Sequence, residues 1–171
     1  MSENVTVIDN FLFEEYFRDL HNIMMGNEFP WYYNDSITYD PAITPDLAES
    51  SESMFQYIHN FYQTQPTDSF YLVCPLLECL NARVLYRLKA NQNPVDGGKQ
   101  LGDYHVDTDF ENSLTSILYI NTNDGYTKFE DGTIVESVEN RLVTFDSRIK
   151  HVGFGCKKYK RRVLININYA L

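Results

Sequence analysis

Basic residues are scarce in this chain. Fourteen Lys and Arg face 24 Asp and Glu in 171 residues, a formal charge of −10. A surface this acidic is repelled by phosphate backbones and anionic membranes unless a local basic patch intervenes, so nucleic acid is not an expected partner. No uninterrupted apolar run approaches the length of about 18 residues that a membrane span needs. Cysteine is nearly absent: Cys74, Cys79 and Cys156 form no C-x-x-C pair, and an odd count does not build a disulfide framework. The opening MSENVTVIDN lacks the basic and apolar regions of a secretory signal. These absences predict a protein of a reducing cytoplasm, without a membrane partner. No repeat period and no low-complexity tract appears, which excludes a solenoid.

Aromatic residues are plentiful, with 13 Tyr and 11 Phe. The length predicts one domain over residues 1–171. Residues 1–82 read as mainly helical support and 83–171 as a β core. Asp9 and Asn10 are good N-caps before FLFEEYFRDLHNIMM, where Phe13, Phe17, Leu20 and Met24 recur at helical spacing. A second helix is expected over 53–63, with Met54, Tyr57, Ile58 and Phe61 on one face. A third runs through SFYLVCPLLECLNA, Pro75 falling near its first turn. His21 and His59 are expected at partly exposed helix positions, without a role. Residues 34–53, with two prolines and several Ser and Asp, make the longest candidate linker.

The second half changes period. RVLYRLK, LTSILYIN, GYTKFED, TIVESV, NRLVTFD and RVLININYA are short, rich in β-branched and aromatic residues, and separated by turn signals such as NPVDGG, NDG and DG. Helices followed by many short strands predict an α+β protein. Its core would be a double-stranded β-helix, or jelly-roll, of antiparallel strands backed by N-terminal helices.

Chemistry concentrates in the strand half. His105 and Asp107 are spaced by two, so on a strand both side chains would face the same way. Adding His151 completes two imidazoles and one carboxylate, a set that occupies one face of an octahedral ion and leaves the rest open. An H-x-D by itself carries little weight; the residues downstream of it carry more. On the last strand Val163, Ile165, Ile167 and Tyr169 share an apolar parity that should pack on the helical layer. Arg162, Leu164, Asn166 and Asn168 share the other, which suits the lining of a wet interior. Arg162 would then enter the metal cavity and Arg161 point away. A buried arginine needs an anionic partner, and a cosubstrate carboxylate would serve. In LTSILYIN the same alternation puts Thr115, Ile117, Tyr119 and Asn121 on one face. Tyr119 is either a hydroxyl partner for that carboxylate or a core tyrosine.

Read together, VLYRLKAN, YHVDTD, TSILYINTNDGYTKFEDG, NRLVTFDSRIKHVGF and RRVLININY resemble the Fe(II)- and 2-oxoglutarate-dependent dioxygenases, particularly their prolyl 4-hydroxylase-like branch. The likeness covers residues 83 to 170. VIDNFL and FPWYYN are similar to the leading region of small phage and bacterial members, which suggests such an origin. The resemblance implies iron held by His105, Asp107 and His151, with 2-oxoglutarate chelating it and its far carboxylate gripped by Arg162 with help from Tyr119. Tyr86 matches a tyrosine that often borders the cosubstrate, and Tyr104 is a further candidate near it. Asp107 speaks against the halogenase branch, where a small residue replaces the carboxylate. Implied too are O₂ as co-reactant, stimulation by ascorbate, and hydroxylation of a substrate C–H bond with release of succinate and CO₂. A prolyl residue in a peptide or protein is the expected substrate, with a free small molecule or a non-catalytic jelly-roll binding module as alternatives. Trp31, Tyr32 and Tyr104, together with the loop from Asn91 to Gly102, are expected at the cavity rim; Trp31, Tyr32 and Tyr33 could equally plug the helical layer. Oligomeric state is not encoded in any motif.

Overall fold

The computed structural model describes residues 5–35, 37 and 55–171. Eleven strands among them form two antiparallel sheets. The large sheet has the order β1 (Val5–Ile8), β9 (Leu142–Asp146), β6 (Leu114–Tyr119), β11 (Arg161–Ala170), β4 (Val84–Pro94), β3 (Gln56–Tyr62), β2 (Tyr32–Asn34). The small sheet runs β5 (Gln100–His105), β10 (His151–Phe154), β7 (Tyr126–Phe129), β8 (Ile134–Glu136). Every pairing is antiparallel. This is the jelly-roll that the strand pattern predicts.

Alternation along β11 sorts the two cores. Val163, Ile165, Ile167 and Tyr169 face one way and pack with Phe17, Leu20 and Met24 of α1 (Glu14–Met25) and with Leu76 and Leu80 of α2 (Cys74–Leu80). A short 3-10 turn, Phe70–Val73, leads into α2, whose Pro75 sits in the first turn, where no N–H is needed. Leu164 faces the other way, with Ile117, Tyr119, Val143 and Phe145, onto Phe129 and Val135 of the small sheet. The molecule is thus three layers: helices, large sheet, small sheet.

Four expectations from the first half need correction. Residues 56–62 form a strand, not a helix: β3 takes the free edge of β4, pairing Tyr57 with Gln92 and His59 with Ala90. Tyr57, Ile58 and Phe61 fit helical spacing, but open ladder groups on β4 and the aromatic, β-branched content favour extension. Met54 and most of the 34–53 segment lie outside the described residues. His59 is consequently buried: its Nδ1 is 2.9 Å from the Pro30 carbonyl and its ring lies between Phe29 and Phe61. The support region therefore contributes three strands as well as two helices. At α1, Phe13 is the N-cap and no side chain caps it.

Candidate metal and cosubstrate site

Between the sheets lies a cavity of about 150 Å³, lined by β4, β5, β10 and β11 among other elements. His105 ends β5 and His151 starts β10, and the two are directly paired across the ladder, with ring centroids 4.7 Å apart. Each Nδ1 is tied to a backbone carbonyl, His105 to Asp103 at 2.9 Å and His151 to Ile149 at 3.1 Å. Those bonds fix the tautomer with hydrogen on Nδ1 and leave Nε2 as the free donor atom. His151 Nε2 lies 3.6 Å from Asp107 Oδ2. The donor atoms of His105, Asp107 and His151 all lie within 4.8 Å of one another.

Asp107 reaches this place differently from the expectation. The strand ends at His105, so no pleat aligns the pair; Asp107 sits in the following loop, its N–H bonded to the Ser147 carbonyl at 3.0 Å. Its carboxylate is then clamped on both oxygens. Arg87 Nη2 donates to Oδ1 at 2.9 Å, while Thr115 Oγ1 and Asn166 Nδ2 donate to Oδ2 at 3.0 and 3.2 Å. Asn168 backs the clamp, accepting from Arg87 Nε at 2.9 Å and donating to Thr115 at 2.9 Å. Burial pushes the Asp107 carboxyl up. His151, Arg87, His105 and the Asn166 hydrogen bond outweigh it and hold the group below the usual 3.8. Burial lowers His151 below 6.5, with Asp107 opposing. At neutral pH Asp107 is thus an anion and the His151 imidazole neutral, the protonation that a divalent ion requires of them.

Arg162 occupies the deep end. It is 2% exposed and lines the cavity, donating from Nε to Ser137 Oγ at 3.0 Å and from Nη2 to Thr127 Oγ1 at 3.1 Å. No carboxylate pairs with it among the described residues. A buried guanidinium held only by hydroxyls can take the anionic end of a ligand. Gly125 lets the chain pass close by: a Cβ there would meet Arg162 Cδ at 2.8 Å and the Phe154 carbonyl at 2.7 Å. Arg161 turns away, to Gln92 and the Met25 carbonyl.

Tyr119 is fully buried beside Arg162, whose Cζ lies 5.5 Å from its ring centroid. Its hydroxyl does not line the cavity; it donates to Thr127 Oγ1 at 2.8 Å. Thr127, which lines the cavity, thus accepts from Tyr119 and Arg162 and keeps its own proton available to donate. Burial raises the Tyr119 hydroxyl above its ordinary value, so it remains a donor. Thr127, Ser137, Arg87, Thr115 and the Asn166 contact were not predicted. Thr127 sits in a predicted strand, but no spacing ties it to Arg162.

Four expected residues fall elsewhere. Tyr86, at a bulge where β4 and β11 change register, packs on Phe110 with centroids 5.0 Å apart, outside the cavity lining. Trp31 packs edge-on against Phe29 in the helix-side core, which is its plugging role. Tyr32 is 61% exposed on the edge strand β2 and stacks near His59. Tyr104 is exposed and also outside the lining. From the expected rim loop, Asn91, Asn93 and Leu101 do line the cavity.

These residues fit the groups that the resemblance implies. Two fixed Nε2 atoms and a carboxylate suit a divalent iron, and the carboxylate-free arginine suits the far end of 2-oxoglutarate. No protein-family model matches the sequence. Nor does any curated protein sequence match it. Solved structures do match. A prolyl-4-hydroxylase from Pseudomonas putida aligns over 99% of this chain and 94% of its own, at 16% identity and a TM-score of 0.54. A Trichoplax adhaerens prolyl hydroxylase, in complex with a hypoxia inducible factor peptide fragment, aligns over 99% and 84%, at 15% identity and 0.61. An oxidoreductase of the 2OG-Fe(II) oxygenase family from Burkholderia pseudomallei aligns over 98% and 86%, at 7% identity and 0.68. The chain has the jelly-roll fold of the Fe(II)- and 2-oxoglutarate-dependent oxygenases, prolyl hydroxylases among them.

Proposed function

We propose that this chain is an Fe(II)- and 2-oxoglutarate-dependent dioxygenase that hydroxylates a C–H bond, that of a prolyl residue in a peptide or protein being the first candidate. One oxygen atom of O₂ enters the substrate and the other enters succinate, with loss of CO₂. The carrying observation is the convergence of His105, Asp107 and His151 in one cavity with a fully buried arginine that lacks a carboxylate partner among the described residues. Bound iron would supply oxygen activation, the hard chemistry that side chains do not perform.

This chain's residues would do the rest. His105, Asp107 and His151 would hold the ion. Arg162 and Thr127 bind the far carboxylate of 2-oxoglutarate, while Ser137 and Tyr119 hold the arginine and threonine in place. Arg87, Thr115 and Asn166 keep the Asp107 carboxylate oriented. Leu101, Ile117 and Leu164 supply apolar wall that limits water around the reacting centre. The prolyl candidate rests on the sequence resemblance and on the two prolyl hydroxylases that share the fold, one seen with a peptide. A free small molecule is the second reading, favoured by the polar lining that Lys89, Asn91 and Asn166 give the cavity. A binding module without catalysis would leave a complete donor set without use. Three unpaired cysteines agree with a reducing compartment such as a cytoplasm.

The test is mass spectrometry of prolyl peptides and metabolites incubated with protein, Fe(II), ascorbate, O₂ and 2-oxoglutarate. The reading expects a substrate that gains one oxygen atom while succinate forms in equal amount. Succinate absent under every condition would remove the oxygenase assignment.

A further inference from the structure

β4 sends Arg87, Lys89, Asn91 and Asn93 into the cavity. Arg87 is already committed, to Asp107 and Asn168. Lys89 is not: its ammonium has no hydrogen-bond or ion-pair partner among the described residues, although the residue is only partly exposed. Burial brings its pKa down to about 8, with Arg87 adding and Asp107 opposing. Two acceptors beside it are also unpaired. Asn166 is the direct cross-strand partner of Lys89, and Asn91 lies two residues further along β4, on the same face. The Oδ1 atoms of both are buried without a hydrogen-bond partner among the described residues.

Desolvated donors and acceptors left open in a cavity cost free energy until a ligand meets them. Arg162 lies opposite Asn93, whereas Lys89 lies opposite Asn166, which bonds the Asp107 carboxylate, so Lys89 stands at the metal end of the cavity, four residues along β4 from the arginine end. A prolyl ring alone, being mostly apolar, satisfies none of these groups. We propose that Lys89 is a specificity-determining residue of this site, binding a carboxylate carried by the prime substrate, with Asn91 and Asn166 accepting N–H donors next to that carboxylate. The substrate class is then an amino acid or peptide acid, and a neutral peptide segment is disfavoured. The carboxylate has two sources, the α-carboxylate of a free or C-terminal residue and an acidic side chain. This assignment rests on the oxygenase reading above.

The test uses the Fe(II)- and 2-oxoglutarate-loaded protein held without oxygen, with binding read by calorimetry. Probes are N-acetyl amino acids, proline included, each as carboxylate and as carboxamide. C-terminally amidated prolyl peptides with Glu or Gln beside the proline form a second set. The carboxylate of at least one pair should bind about tenfold more tightly than its amide, the worth of a partly buried charge-assisted bond. Lys89→Met should bring that ratio near one, and Lys89→Arg should keep it. Preference in the first set assigns an α-carboxylate and in the second an acidic side chain. Carboxylates bound no better than amides, weak binding of both included, or a ratio unchanged in Lys89→Met, would overturn the proposal. Should Lys89→Met fail to fold, an Arg variant that abolishes the preference in favour of the amides would do the same. The oxygenase reading is judged apart, by succinate formation in the wild-type protein.

Discussion

Arg162 shows how single residues set this site. Its charge is buried and its hydrogen-bond partners among the described residues are two hydroxyls, so truncation would remove the proposed anchor for an anionic ligand. Arg162→Met should weaken 2-oxoglutarate binding about ten- to a hundredfold, the range of a charge-assisted hydrogen bond lost, measured by titration of the metal-loaded protein. Unchanged affinity would assign that carboxylate elsewhere. Protonation is a second matter at this scale. His151 has a pKa below its ordinary 6.5 and Asp107 one below 3.8. For a depressed pKa, the stability is in place above the unfolded value and is lost as pH falls through the folded one. Metal-free protein should therefore lose stability on acidification in two windows, below about 6.5 for His151 and below about 3.8 for Asp107, as read by denaturant melts at each pH. The residues found by sequence were those with distinctive chemistry at distinctive spacing: two histidines, one aspartate and one arginine. Thr127, Ser137 and Arg87 were invisible because hydroxyls and surface-type cations occur everywhere, and only the fold brings them to the ligands.

Strand β11 carries the site on one face and the main core on the other, so a substitution there reads out differently by parity. Ile165→Ala, at a fully buried position against the helical layer, should cost about 2–5 kcal/mol of stability in chemical denaturation. Gly125→Ala tests the turn instead. The new methyl would press on Arg162 and on the Phe154 carbonyl. It should cost about 1–3 kcal/mol and also weaken 2-oxoglutarate binding, a coupling that a merely structural glycine would not show. Strand parity was legible from sequence because a period of two is unambiguous when one face is apolar and the other carries Arg162, Asn166 and Asn168. β3 was not legible for the opposite reason. Tyr57, Ile58 and Phe61 satisfy helix and strand alike, and the decision belongs to the open edge of β4, a tertiary fact. The Asp107 loop was misread in the same way, since an H-x-D gives spacing but not where the strand stops.

At the scale of the molecule, two sheets and a helical layer place a wet cavity inside an otherwise apolar jelly-roll. Its proposed metal donors lie on the small sheet and the loop after it, and the proposed carboxylate anchor on the centre of the large sheet. Iron and 2-oxoglutarate would therefore bridge the two sheets, which makes their turnover a test of the whole arrangement. The most direct measurement is succinate formation from 2-oxoglutarate by Fe(II)-loaded protein without added substrate, compared with His105→Ala and Asp107→Ala. The account predicts slow turnover in the wild type and a loss to background in both variants. Turnover at the wild-type rate in either variant would contradict it.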